Sequence, residues 1–434
     1  MSYTDIYGIN NKLYMFKQYL AMCDDLKCEG IPETIAKLEK EIEKATKELE
    51  TLTPNAEMTA AEPDDYNEIL KLRPTQTKKF FEKLPVDFRK KLAGAIYSRF
   101  AGCTLGAPVE GWTVTQIEDY AKQLNLEYPL SDYWTDTPYK NQPRYRLSKF
   151  DDYLKQNLNS VPCDDDVGFT ILALLIAEEG KGLDLDTEDV AKAWVKYVTE
   201  AYTAEDAALK NLKAGIPSKD AAIKDNPYFE WIGADIRCDG YGYMAPGNPE
   251  LAAKLAYYDA YLSHRRNGIY GSMFFAAAIS AAFALGDPFL AIEEGLKQIP
   301  KDCRLAKDVR WAMDIRHTVK DAHHAADLVD QRFPGMHIVH TLNNACLVVF
   351  ALQLGGNDIG KIFSNAVFMA HDADCTAATA GSIAGACFGL TELDKHWYEC
   401  FNGKAMSFYN GPKEYDIENL IDRYMVIAEK SINK

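Results

Sequence analysis

The stretch that most constrains how this chain can fold is Ala370 to Thr391, A-H-D-A-D-C-T-A-A-T-A-G-S-I-A-G-A-C-F-G-L-T. Two carboxylates, Asp372 and Asp374, are followed at once by a run of small uncharged residues, among them Thr376, Ala377, Ala378, Gly381, Ser382 and Gly385. Side chains this small let neighbouring backbones approach closely, as in a helix packed on all sides. Two carboxylates at the mouth of a buried helix repel each other, and protonation, a basic partner or a metal cation relieves the cost. No Lys or Arg lies between Ile362 and Lys395, so the local sequence supplies no basic partner. A hard, oxygen-seeking cation is the first expectation; a helix-capping Asp beside a solvated one is the other.

The remaining composition narrows the setting. The 434 residues carry a formal net charge of −16, which argues against general nucleic-acid or anionic-membrane binding. The N-terminus has neither the basic nor the apolar segment of a secretory signal. Ten cysteines without a C-x-x-C read as reduced core residues, and a cytoplasmic protein is expected. Two long uncharged runs, 333–357 and 267–286, read as buried helices rather than membrane spans, the first for its Pro and His, the second for its Ala, Gly and Ser.

Residues 1–75 form an expected helical appendage, with residues 76–434 as the main domain. Ile35, Leu38, Ile42, Ala45, Leu49 and Leu52 recur at helical steps among mixed Lys and Glu, a narrow apolar stripe suited to a hairpin or a homodimer contact. From Phe80 onward helical periodicity dominates, near 86–106, 167–179, 187–202, 248–263, 270–285, 289–297, 340–354, 358–370 and 376–389. The fold class expected is all-α. Long aromatic loops at 107–163 and 225–247 are places for function.

A second acidic group, Asp164-Asp165-Asp166, stands where the periodicity of Phe169, Leu172 and Ile176 begins. Carboxylates are favoured at a helix N-terminus, yet three exceed what a cap requires. Three further clusters stand out: A-G-C-T-L-G-A-P-V-E-G-W with Glu110, the turn from Asp239 through Asn248 to Ala252, and S-H-R-R-N-G-I-Y-G-S from Ser263 to Ser272. Glycine-rich turns suit phosphate and tyrosines suit a base or sugar, whereas a lone His264 is more often a satisfied core residue.

In this order the five pieces resemble the ADP-ribosylglycohydrolase family over roughly Arg89 to Gly389. The resemblance rests on D-D-D before F-T-I-L-A-L, on P-G-N-P-E-L-A-A with S-H-x-x-N-G-x-Y-G, and on D-x-D-C-x-A-A-T-x-G-S-I-x-G-A. It implies an all-α fold around two Mg²⁺ ions (Mn²⁺ is possible) and hydrolysis of an N- or O-glycosidic bond of ADP-ribose on a protein or small-molecule acceptor. Asp165 and Asp166 fall on the family's first metal-binding pair, with Asp164 as an extra carboxylate. Asp372, Asp374 and Cys375 fall on the second motif, where Cys375 replaces a threonine, as Val167 replaces the last threonine of the first. Glu110 matches an early loop whose acid reaches the site, so Asp165, Asp166 and Glu110 are the implied catalytic groups. Asn248, His264, Asn267, Gly268, Ile269, Tyr270 and Gly271 are the implied substrate contacts. The cysteine and valine departures leave room for a silent ADP-ribose binder, and another nucleotide-like glycoside is a further possible substrate.

Overall fold

The computed structural model describes residues 3–74 and 78–434, with side chains from residue 8. The boundary expected between residues 75 and 76 lies outside the described residues. The chain divides into two compact units, one of residues up to Ala60 with Asp330–His337, the other of Ala61–Val329 with Ile338–Lys434.

In the smaller unit, α1 (Tyr3–Asp25) and α2 (Ile31–Glu50) form a hairpin. Gly30 takes a left-handed φ of 83° just before Ile31, and Pro32 stands in the first turn, where its missing N–H costs nothing. Leu13, Phe16 and Leu20 on α1 and Ile31, Ile35 and Leu38 on α2 are half-buried at three- and four-residue steps, while Tyr14, Met15, Tyr19, Ile42 and Leu49 stay exposed.

The larger unit begins at Ala61, and residues 61–74 belong to it. Glu62 is buried and accepts hydrogen bonds from the Arg304 backbone N–H at 2.8 Å and from the Arg266 guanidinium. Burial pushes its carboxyl up, but the bonds from Arg304 outweigh this and hold it at about 2. Asp64 accepts from the Arg266 N–H at 2.7 Å.

The helices that place the site are α3 (Phe88–Gly106), α4 (Asp165–Glu179), α5 (Pro249–Ala260), α6 (Asn267–Leu285), α7 (Thr341–Gly355), α8 (Ile359–Phe368) and α9 (Ala373–Phe388). Among the described residues, strands occur only as two short antiparallel pairs, one of them β1 (Pro143–Arg144) with β2 (Ser148–Lys149). All nine helical segments expected from periodicity are present, with ends moved by a few residues. The fold is all-α. α6 is long and apolar enough to cross a membrane by length and composition, but 89% of that window is buried inside the protein, as befits a core helix.

The centre of the unit is the contact of α3 with α9. A Cβ on Gly102 would lie 2.4 Å from the Ala377 carbonyl oxygen, one on Gly106 would lie 2.5 Å from the Asp374 Cα, and one on Gly385 would lie 2.3 Å from the Gly94 oxygen. Backbone therefore rests on backbone, and the small-residue run of α9 is a consequence of that approach. Gly102→Ala is expected to lower stability by about 1–3 kcal/mol through overpacking, measured by urea unfolding. An unchanged midpoint would show that the two helices can part at no cost.

Candidate active site

Both acidic motifs sit at helix starts. Asp164 caps α4, its Oδ1 accepting from the Asp166 N–H at 3.1 Å. Asp372 immediately precedes α9, and Ala370 and His371 before it both take left-handed φ values, 64° and 60°. Two non-glycine residues in that region cost on the order of 1 kcal/mol each, a local strain that fixes where α9 begins. The His371 carbonyl accepts from the Gly111 N–H at 3.1 Å, which ties the Glu110 loop to the same turn.

The three segments meet. Ligand atoms of Glu110, Asp372 and Asp374 lie within 4.8 Å of one another, as do those of Asp166, Asp374 and Cys375 and those of Cys103, Asp164 and Asp166. At an effective dielectric of about 20, two unit charges this close repel by about 3 kcal/mol. Asp164, Asp166, Asp372 and Asp374 are all buried, while Asp165 and Glu110 are half-buried.

Two arginines that the sequence reading did not find share this charge. Arg99, from the middle of α3, is fully buried and lies 2.9 Å from Asp166 Oδ1 and 2.9 Å from Asp239 Oδ2. Its Nε also donates to Thr170 Oγ1 at 2.8 Å. Arg144, on β1, enters the cluster itself. Its Nη1 pairs with Asp164, and its Nη2 pairs with Asp374 and, at 2.7 Å, with Glu110 Oε2. The absence of nearby Lys or Arg around the second motif holds only along the chain; in space the basic partners come from α3 and from the 107–163 loop. A lone arginine in the apolar sequence I-Y-S-R-F-A-G-C was the available signal for Arg99. Nothing local distinguishes Arg144 from Arg146.

Titration reflects this crowding. Burial pushes Asp165 well up, with Asp164 and Asp166 adding to it, and pushes Asp372 well up, with Asp374 adding. Burial raises Asp166 and Asp374 too, opposed by Arg99 and by Arg144 respectively. Glu110 is pushed up to about 7 by burial and by Asp374, against Arg144. Burial also keeps Cys375 a thiol, and its Sγ donates to Asp166 Oδ2 at 3.2 Å.

Glu110, Asp165, Asp372, Asp374 and Cys375 line a cavity of about 270 Å³ whose walls include Tyr145, Phe169, Tyr202 and Trp231. A larger cavity of about 690 Å³, beside Asp152 and Lys404, includes none of the clustered carboxylates. The seven implied substrate contacts do not line the acidic cavity. The expected glycine turn is the opening of α6: Tyr270 N donates to the Arg266 carbonyl, and the Tyr270 hydroxyl donates to the Pro63 carbonyl. Asn267 bonds Glu230 at 2.9 Å and the Leu305 N–H at 3.1 Å. Ile269 is core, and Gly268 and Gly271 allow close approach of the Phe229 oxygen and the Asp235 carboxylate. Asn248 caps α5, and His264 is buried against Ser263 Oγ at 2.8 Å and held below its ordinary value by burial and by Arg237. Each of these side chains has a structural partner that explains its type.

A family model described as ADP-ribosylglycohydrolase matches residues 84–432. The chain belongs to the ADP-ribosylglycohydrolase family. A comparison with curated proteins gives no match. Among solved structures, a chain titled "ADP-ribosylglycohydrolase-related protein complex" is similar in fold, with a TM-score of 0.52 and 19% identity. The alignment covers 80% of this chain and 99% of that one. Family members use divalent metals. The residues present here fit such a cation: Asp372 Oδ1 and Asp374 Oδ1 are buried carboxylate oxygens without a hydrogen-bond partner, within the group that also holds Glu110.

In chelated protein the raised carboxyls keep protons that the unfolded chain has released. For Glu110 the folded state holds the extra proton between the ordinary value of 4.5 and about 7, so its contribution to stability falls as pH rises through that window. A divalent cation favours the ionised cluster. The rise in Tm on adding Mg²⁺ is therefore expected to be larger near pH 8 than near pH 5, read by differential scanning calorimetry. Equal rises at the two pH values would contradict the charge balance described.

Proposed function

We propose that this ADP-ribosylglycohydrolase is a Mg²⁺-dependent hydrolase that removes ADP-ribose from a modified protein or small-molecule acceptor. The observation that supports this most directly is the meeting of Glu110, Asp165, Asp372 and Asp374 at a cavity with aromatic walls, with Asp164 and Asp166 buried in the same acidic cluster. Cleaving a bond to the anomeric carbon builds positive charge on the sugar, while the attacking water must lose a proton. Asp372 and Asp374 would hold Mg²⁺ (or Mn²⁺), which when bound lowers the pKa of a water and fixes sugar hydroxyls. Glu110 lines the same cavity beside Asp372 and Asp374 and is placed to take that proton. The Tyr145 hydroxyl and Arg144 hold the Glu110 carboxylate from two sides, at 2.5 Å and 2.7 Å. Asp165 faces the cavity beside it and is a second candidate base. Tyr202 and Trp231 offer flat surfaces to a base or sugar.

A pair of cations is the family-based reading, and Arg144 bears on that number. The ten cysteines are all free, which suits a reducing compartment such as the cytoplasm. The exposed Tyr14, Met15 and Tyr19 of α1 suit a contact with a second copy. The silent-binder reading draws on Cys375 and Val167, and release of free ADP-ribose separates the two.

Arginine-, serine- and O-acetyl-linked ADP-ribose substrates should be assayed with and without chelator. Release from at least one linkage, stopped by chelator and lowered on the order of 100-fold or more by Asp374→Asn, is expected. No release from any linkage would favour the silent binder. A thiol suits Mn²⁺ better than Mg²⁺, so activity should be higher with Mn²⁺, and Cys375→Thr should narrow the difference. An unaltered preference would make Cys375 a packing residue alone.

A further inference from the structure

Arg144 is buried to 2% side-chain exposure, yet it comes from a two-residue strand in a long surface loop. The turn after β1 runs through Tyr145 and Arg146, both left-handed at φ 49° and 63°, before β2 pairs back with Ser148 opposite Arg144. The guanidinium lies 4.8 Å from the centroid of the Tyr145 ring and 5.4 Å from that of Tyr153. The Tyr153 hydroxyl meets Asp164 Oδ2 at 3.0 Å, the same oxygen that Arg144 takes.

One oxygen each of Asp164, Asp374 and Glu110 is thus bound to a single cation that the chain itself provides. Arginine does not give up its proton in a protein, so this charge is permanent. A divalent ion on the same three oxygens would have to expel Arg144 from its aromatic bracket. Of their second oxygens, Asp164 Oδ1 accepts from the Asp166 N–H and Glu110 Oε1 from the Tyr145 hydroxyl, whereas Asp374 Oδ1, like Asp372 Oδ1 next to it, is buried with no hydrogen-bond partner.

We propose that Arg144 takes the place of one cation, so that this centre binds a single divalent ion, held by Asp372 and Asp374 beside Glu110. Arg144 is then a positioning residue that fixes the Asp164, Asp374 and Glu110 carboxylates by a permanent charge. It plays this part only if the site is cation-dependent, as proposed above.

The test is metal stoichiometry on the full chain, by titration calorimetry with Mn²⁺ and by elemental analysis after gel filtration. Wild type is expected to bind one ion per chain at the centre. Arg144→Met is expected to bind two, and Arg144→Lys, which keeps a positive charge, to stay at one. Circular dichroism reports whether each variant folds; if Arg144→Met does not, the wild-type value still decides. Two ions in wild type, or one in folded Arg144→Met, would overturn the role of Arg144 and leave the cation-dependent reading intact. No ion in wild type or in either variant would overturn both.

Discussion

The fully buried pair of Arg99 with Asp166 is the interaction on which the rest of the centre depends. A carboxylate taken this far from water costs several kcal/mol unless a counter-charge goes with it. Arg99 meets that cost from beneath, bonding one oxygen of Asp166 and reaching Asp239 and Thr170 with its other nitrogens. The other oxygen of Asp166 accepts from the Cys375 thiol. Because Arg99 rises from α3, the position of that charge is set by how closely α3 rests on α9. The glycines at 94, 102, 106 and 385 therefore fix the electrostatics as well as the packing. Mutual repulsion among the carboxylates that remain makes the centre receptive to a cation, and Arg144 divides that demand between the chain and a ligand.

Much of this was legible along the chain, and the reason lies in which signals are local. The small-residue run at 376–386 reads as close helix packing because nothing else explains so many side chains of that size. Asp164–Asp166 and Asp372/Asp374 stand out because three carboxylates exceed what a cap requires and two at a buried helix mouth need a counter-charge, but their reading as metal ligands came from the family resemblance. The all-α class follows from periodicity in nine segments, and family membership agrees with it. What was not legible depends on contacts between distant segments. Arg144 lies 20 residues from its nearest acidic partner, Asp164, and 230 from Asp374. The glycines at 268 and 271 carry the opposite lesson. A glycine admits either a ligand or a neighbouring chain, and here the neighbours are the Phe229 oxygen and the Asp235 carboxylate inside the protein. Asn267 and Tyr270 follow them into structural roles, one bonded to Glu230 and the other to the Pro63 carbonyl.

Cys375, in the first turn of α9, meets Asp166 at the start of α4. Where the family resemblance implies a hard oxygen donor it offers a neutral thiol, and that thiol donates a hydrogen bond to Asp166. A site lined by Arg144 on one side and Cys375 on the other has fewer hard ligands than its carboxylate count implies. The proposed reaction is compatible with that economy, since one cation at Asp372 and Asp374 would supply a held water, and Glu110 and Asp165 nearby would offer an acceptor for its proton.

Diffraction from crystals soaked in Mn²⁺, recorded where manganese scatters anomalously, tests the central claim most directly. The account predicts an anomalous peak within coordination distance of the Asp372 and Asp374 carboxylates, beside Glu110. A well-occupied peak elsewhere in the protein, or none at this cluster under saturating Mn²⁺, would contradict it.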